Sequence, residues 1–201
     1  KLGRDEEAVR QLRVVLKVKP DLQEALYTLG LALTNLKRYD EAVTVLNRAA
    51  ALYPGFAEMR SALGLAYNAQ GNFQKGLDQF KRAVEIEPRH PGDRYNLALT
   101  LFRLTRYQEA AAEAQKAVSL DPAMEDGYRL IARAYDAGGM RDKAVKAYEV
   151  LLEKGRGGNA EDNYRLAALY QQSGRTEEAA ASFKRCLDKN GASFNCAFSL
   201  G

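Results

Sequence analysis

Residues 23–56 read QEALYTLGLALTNLKRYDEAVTVLNRAAALYPGF, and this stretch decides the fold. Apolar residues recur at helical spacing in its first half, and a second apolar face begins at Ala42. The stretch Asn35-Leu36-Lys37-Arg38 lowers the apolar signal and marks a turn between the two faces. Pro54 ends the second face because proline cannot continue a helix. The stretch therefore predicts two helices joined by a short turn. Gly30 and Ala42 are small enough to let the helix axes approach closely.

The same pattern recurs along most of the chain. A constant step of 34 separates Pro20, Pro54, Pro88 and Pro122. Small residues keep this step at Ala8, Ala42, Gly76, Ala110 and Ala144, and the next, Ala179, comes one residue late. Because several residue classes share one period and one slip, we interpret the chain as a tandem array of helical hairpins.

These residues resemble the tetratricopeptide repeat family, whose pattern also has a period of 34 residues. The family places a Leu-Gly-like pair at motif positions 7 and 8, as in Leu29-Gly30, and an alanine at position 20, as in Ala42. The resemblance covers essentially the whole chain. It implies an all-α fold, namely an α-solenoid in which antiparallel helix pairs stack into a right-handed superhelix.

In the family's frame, we expect a single array that is truncated at both ends. Residues 1–22 are the second helix of a half repeat, full repeats span 23–56, 57–90, 91–124, 125–159 and 160–193, and residues 194–201 begin a further repeat. Arg60, Arg94 and Asn163 stand at motif position 4, where the family has a bulky residue, and this predicts locally thinner packing.

The joint at residues 154–159 is irregular. It lacks the periodic proline, carries three glycines and contains the extra residue. One interpretation is an insertion that a surface loop tolerates. The other is a hinge that alters the pitch of the superhelix, because glycine frees the backbone.

Composition excludes several classes of function. Thirty Lys+Arg against 26 Asp+Glu give a net charge of +4, a small excess for a nucleic-acid-binding domain of 201 residues. One histidine and two cysteines exclude multi-histidine and four-cysteine metal sites. Phosphate-binding and dinucleotide-binding loops follow a β-strand, and the sequence shows neither such a loop nor a strand pattern. No set of a nucleophile with a histidine is plausible. We therefore expect no catalysis, no cofactor and, since the apolar runs are short, no membrane span in this fragment.

The resemblance also implies a peptide-binding groove lined by the first helix of each repeat. Its first half carries Tyr27, Leu31, Leu65, Tyr95, Leu99 and Phe102, and its later half carries Arg103, Arg129 and Arg133, with Arg165 adjoining. This division predicts a protein or peptide partner with an apolar part and an acidic part. In the alternative, some of the three leucines are partly buried between adjacent first helices, and Asp126, Asp136 and Glu161 dilute the arginine cluster.

Cys186 and Cys196 lie five residues to either side of Gly191 in an expected turn. Residues equidistant from the turn of a helical hairpin can face each other, so a disulfide is one interpretation. The other is that each cysteine is a small buried apolar residue. A disulfide would indicate an oxidising compartment such as the periplasm or cell envelope, whereas free thiols would fit the cytoplasm.

The sequence thus predicts a non-enzymatic scaffold that binds a protein or peptide segment in the groove. Two alternatives stay open. The chain is the substrate-recruiting repeat region of a larger enzyme, such as a glycosyltransferase, or it is a bacterial cell-envelope protein similar to type IV pilus-assembly lipoproteins.

Overall fold

The computed structural model describes residues 2–154, 158–190 and Cys196. Within these ranges the chain is helical between its turns and contains no β-strand, so the predicted all-α class is confirmed. The helices in these ranges are α1 (Leu2–Val18), α2 (Gln23–Asn35), α3 (Tyr39–Leu52), α4 (Ala57–Ala69), α5 (Phe73–Ile86), α6 (Pro91–Arg103), α7 (Tyr107–Leu120), α8 (Glu125–Ala137), α9 (Arg141–Lys154), α10 (Ala160–Gln172) and α11 (Thr176–Asn190).

Consecutive helices pack as hairpins because each carries one apolar face. α2 packs on α3, α4 on α5, α8 on α9 and α10 on α11. The periodic prolines explain where the second helix of a hairpin ends. Pro20, Pro54, Pro88 and Pro122 are each the second residue after α1, α3, α5 and α7.

The turn inside each repeat requires a left-handed backbone at one position. The residues there are Lys37 (φ 60°), Gly71 (φ 79°), Thr105 (φ 59°), Gly139 (φ 70°) and Gly174 (φ 73°). Glycine adopts this conformation without steric cost, whereas a side chain at Cβ is crowded in it. Three of these five turns therefore carry the residue that the geometry favours.

The helices group into two compact units, Lys1–Leu104 and Thr105–Gly201. The first unit contains α1 to α6, and a core cluster joins α1, α2, α3 and α4 around the fully buried Leu33, Leu46 and Leu63. The second unit contains α7 to α11, and its core cluster is built around the buried Tyr148 and Leu151.

Small residues allow the close helix approach that the sequence predicts. A Cβ atom at Gly30 would overlap the side chain of Leu46 on α3. A Cβ atom at Gly64 would lie 2.8 Å from Cζ of Phe80 on α5, which is closer than real contacts allow. The expectation for Gly30 is therefore confirmed, and Gly64 has the same role in the next repeat.

Two expectations fall on residues that the structure does not describe. Residues 155–157 of the joint at 154–159 lie outside the described ranges, and so do residues 191–195 and 197–201. The two interpretations of the joint, and the further repeat expected at 194–201, therefore stay predictions.

Candidate interaction surface

The six apolar residues of the predicted groove lie in the first unit, on the first helices of their repeats. α4 packs against both α2 and α6, so these three helices lie side by side. We call the side that carries the six residues the first-helix face. Its members are Tyr27 and Leu31 of α2, Leu65 of α4, and Tyr95, Leu99 and Phe102 of α6.

The six residues differ in how far solvent reaches them. Leu65 is 41% exposed, whereas the other five are half-buried. Tyr27 and Leu31 also pack against the core cluster of the first unit. Leu31 and Leu99 thus fit the alternative in which some leucines of the groove are partly buried, while Leu65 presents its side chain to solvent.

Two carboxylates act on Tyr27, one of the two tyrosines of this face. Burial raises the pKa of Tyr27, and the negative charges of Glu58 and Asp93 raise it further, so its hydroxyl stays protonated. Asp93 itself is buried on α6. It accepts a hydrogen bond from the Ser61 hydroxyl of α4, and its other oxygen lies 2.8 Å from Nδ1 of His90. Partners within the chain therefore occupy the Asp93 carboxylate.

Arg129 lies in the second unit, on α8, and three carboxylates of the chain surround it. It pairs with Glu125, with Asp126 at 2.6 Å, and with Asp162 of α10 at 3.2 Å. Burial favours the neutral form of Arg129, but Asp162 and Glu125 outweigh that effect, so its pKa is raised. The side chain is 21% exposed. Arg129 therefore ties α8 to α10, and carboxylates of the chain itself balance its charge.

Arg165 of α10 is similarly engaged. Its guanidinium lies 3.0 Å from Glu161 and 3.4 Å from Asp136 of α8. These residues border a shallow cavity of about 420 Å³ that Tyr164 and Gln172 also line. Because both charge signs meet in this cavity, it offers no net attraction for an acidic segment.

The remaining two arginines of the predicted groove, Arg103 at the end of α6 and Arg133 on α8, are both exposed. Within the predicted cationic half, Arg129 and Arg165 are thus ion-paired with the carboxylates named above. For the ion-paired residues, the alternative interpretation, in which neighbouring carboxylates dilute the cluster, describes the structure.

The sequence alone does not show how the hydroxyl of Tyr148 on α9 is placed. Its side chain is fully buried, and its hydroxyl has no hydrogen-bond partner among the described residues. Burial raises the pKa of Tyr148 far above its ordinary value. The signal in the sequence is a tyrosine at the motif position where other repeats carry Phe80 and Phe183.

The two cysteines lie within bonding reach. Cys186 of α11 and Cys196 have their Cα atoms 6.0 Å apart, within the usual range for a disulfide, and the structure joins their sulfur atoms. Both residues are buried. Their oxidation state in solution, and the compartment it implies, stay predictions.

Neither metal chemistry nor a bilayer crossing is indicated by the described residues. No group of three or more His, Cys, Asp or Glu side chains in these ranges could hold a metal ion. No helix in the same ranges combines the length and the apolar character that crossing a membrane requires.

Several solved structures share this fold. MamA protein is 28% identical to this chain, with a TM-score of 0.72 over 77% of this chain and 84% of MamA. YrrB, described as a tetratricopeptide-repeat protein with an unusual peptide-binding site, is 16% identical, with a TM-score of 0.79 over 94% of this chain and 96% of YrrB. PilF of Pseudomonas aeruginosa is 17% identical, with a TM-score of 0.70 over 87% of this chain and 79% of PilF. The last two likenesses show the fold alone.

Sequence comparison with family models identifies the family. No curated protein matches this chain in sequence. Models described as tetratricopeptide repeat match residues 1–57, 27–94 and 61–125, which together exceed half of the chain. Further models of the same description match residues 126–154 and 163–188. This chain belongs to the tetratricopeptide repeat family.

Proposed function

We propose that this chain is an interaction scaffold without a catalytic role, and that a protein or peptide segment binds the first-helix face of the first unit. The observation that carries the proposal is the 41% exposure of Leu65 beside the half-buried rings of Tyr27, Tyr95 and Phe102. Covering such apolar surface is favourable by about 25 cal/mol per Å². Family membership supports the proposal, since these repeats bind proteins or peptides, and so does the peptide-binding site for which YrrB is described.

The contacts on this face indicate the chemistry of the partner. Its apolar side chains would cover Leu65 and the neighbouring rings. An acidic part of the partner would meet Arg103, which is exposed at the end of α6 in the same unit. The protonated Tyr27 hydroxyl would donate a hydrogen bond to an acceptor on the segment.

A matched pair of variants tests the location of the binding surface. Leu65→Asp places a charge on the first-helix face, and Leu52→Asp places the same charge on α3, where Leu52 is 43% exposed. Both side chains are open to solvent, so neither substitution should lower the helicity. We expect proteins captured from the source cell by the wild type and by Leu52→Asp to be lost with Leu65→Asp. If Leu65→Asp and Leu52→Asp capture the same proteins in equal amounts, the first-helix face is not the binding surface.

The acidic part of the partner has its own test. The charge reversal Arg103→Glu should weaken binding of the captured partner several-fold, and the loss should shrink at high salt. If this reversal leaves the affinity unchanged, the partner is an apolar segment without an acidic part.

We also propose that the Cys186–Cys196 bond forms in the native protein and that the protein functions in an oxidising compartment such as the cell envelope. The 6.0 Å separation of the Cα atoms supports the pairing. The native protein should then have a mass lower by two hydrogen atoms under non-reducing conditions, and no thiol should react with an alkylating agent after unfolding. Two alkylated cysteines in protein isolated from its source would contradict both statements.

A further inference from the structure

A groove in the second unit lies on the side of α8 that faces away from Arg129 and Arg133. α8 forms its floor with Ile131 and Tyr135, and α7 and α9 form its walls. At about 100° per residue, these two floor residues are on the opposite side of the helix from the two arginines. The groove has a volume of about 580 Å³, which is within the range of protein ligand sites. It shares no residue with the first-helix face.

The groove is apolar inside and basic at its edge. Val118 of α7, Tyr128 of α8 and Val150 of α9 line it, and Val150 is 39% exposed. Lys143 and Lys146 of α9 are also lining residues, and both are exposed. Of the described residues that line the groove, none is acidic.

Tyr135 links the apolar floor to the basic edge. The Lys143 ammonium lies 5.6 Å from the centroid of the Tyr135 ring, which holds the lysine at the edge by a cation–π contact. Gln115 of α7 donates a hydrogen bond of 3.1 Å to the Tyr135 hydroxyl oxygen. Because that oxygen acts as the acceptor, the hydroxyl proton is available for an acceptor on a ligand.

The corresponding place in the first unit is filled by the chain itself. Arg60 stands 68 residues before Tyr128 and takes its position. The Arg60 guanidinium donates hydrogen bonds to the Ala50 carbonyl at 3.1 Å and to Gln79 at 3.2 Å, so it lies across the space between α3 and α5. The expectation of thinner packing at Arg60 is therefore wrong. In the second unit, Tyr128 leaves this space open.

We propose that the groove on α7, α8 and α9 binds a protein segment in which one large apolar side chain is flanked by carboxylates. The apolar side chain lies on Ile131 and Val118, and the carboxylates pair with Lys143 and Lys146. A carboxylate oxygen accepts the hydrogen bond of Tyr135. The first unit lacks this complementarity, because Asp78 there replaces Lys146.

Binding of three labelled pentapeptides to the full chain, followed by fluorescence anisotropy, tests the proposal. The capped peptide EEFEE should bind, whereas EEAEE, without the apolar side chain, and KKFKK, with reversed charge, should bind at least about tenfold more weakly. The double variant Tyr128→Arg with Ala147→Gln introduces the residues that fill the corresponding space in the first unit, Arg60 and Gln79. It should abolish binding of EEFEE even though it adds a positive charge, because the space for the phenyl ring is gone.

A matched pair of charge reversals completes the test. Lys143→Glu with Lys146→Glu should weaken EEFEE binding at least about tenfold. Arg141→Glu with Lys154→Glu reverses two charges of the same helix outside the groove and should leave the affinity within about twofold. The proposal is overturned if KKFKK binds as well as EEFEE, or if both double reversals have equal effects. The charge reversals change only exposed side chains, so the protein should still fold. They therefore test the proposal even if the double variant Tyr128→Arg with Ala147→Gln does not fold. Leu65→Asp should not affect EEFEE binding, which separates this site from the first-helix face.

Discussion

One backbone position per repeat shows how a single residue sets local stability. The turn between paired helices needs a left-handed residue, and Lys37 and Thr105 adopt this conformation with φ near 60° although each carries a Cβ atom. Thr105 is the more crowded of the two because it is β-branched. Lys37 and Thr105 therefore adopt the left-handed conformation of this turn at a steric cost.

Thr105→Gly should raise the free energy of unfolding by about 0.5–1 kcal/mol, since the relief of backbone strain exceeds the added entropy of the unfolded chain. Lys37→Gly should have the same sign and a smaller size. Urea unfolding followed by circular dichroism measures both values. Gly71→Ala, at a position with φ of 79°, should shift stability in the opposite direction. A destabilising Thr105→Gly would show that the turn is not strained.

The buried hydroxyl of Tyr148 leads to a second prediction at this scale. A buried polar group without a partner costs about 1–3 kcal/mol, so Tyr148→Phe should leave stability unchanged or raise it by about 1 kcal/mol. Phe80→Tyr, which adds the same hydroxyl at the corresponding buried position of the first unit, should lower stability. Thermal unfolding of both variants measures the pair of effects, and a clear loss in Tyr148→Phe would show that its hydroxyl is bonded.

Helices α8 and α10 are joined by a charge pair that connects two repeats. Arg129 reaches Asp162, which is 3% exposed and also accepts a hydrogen bond from the Asn159 backbone at the start of α10. Asp162 and Asn159 form a capping box, because the Asn159 side chain accepts a hydrogen bond of 2.8 Å from the Asp162 backbone N–H. Arg129 thus contributes to the start of a helix in the next repeat.

Arg129→Ala should lower the free energy of unfolding by about 2 kcal/mol, because it leaves the Asp162 carboxylate buried without its cation. Arg133→Ala, on the same helix and exposed, should change stability by less than about 0.5 kcal/mol. A double variant with Asp162→Asn should recover part of the loss, which urea unfolding of the full set would measure. An additive result would mean that the two side chains do not interact.

The stability of the whole molecule at alkaline pH depends on its buried tyrosines. Burial, together with a hydrogen bond to Glu149, raises the pKa of Tyr170 to about 12. In the unfolded chain this hydroxyl ionises near pH 10. Between these two values the unfolded state loses a proton that the folded state keeps, so stability falls as the pH rises.

The wild type should therefore lose about 1 kcal/mol more than Tyr170→Phe when the pH is raised from 9 to 11. Urea unfolding at both pH values gives the difference for each protein. The comparison cancels the titration of lysines, which is common to the two chains. Equal losses would indicate that Tyr170 ionises normally in the folded protein.

Much of the architecture could be predicted because it follows from local spacing. The apolar residues of 23–56 already mark both helices, and the periodic prolines mark where second helices end. Which side chains of the predicted groove pair within the chain could not be predicted in the same way. Whether Arg129 faces a partner depends on Asp162, which is 33 residues away and is brought close by the stacking of repeats. Whether the space beside motif position 4 is open could not be predicted either. Arg60 fills it through hydrogen bonds to Ala50 and Gln79, whereas Tyr128, at the same position two repeats later, leaves it open.

The hairpin arrangement also bears on how the protein is made. Among the described helices, strong contacts join only helices that are neighbours or next neighbours along the chain. Such short sequence separations favour rapid folding. A ribosome adds residues at about 5–20 per second, so one 34-residue repeat emerges in roughly 2–7 s, whereas helices form in microseconds. Within each unit, a hairpin can thus bury its leucines against the preceding one before the next is synthesised, and little apolar surface is left open to aggregation on the way.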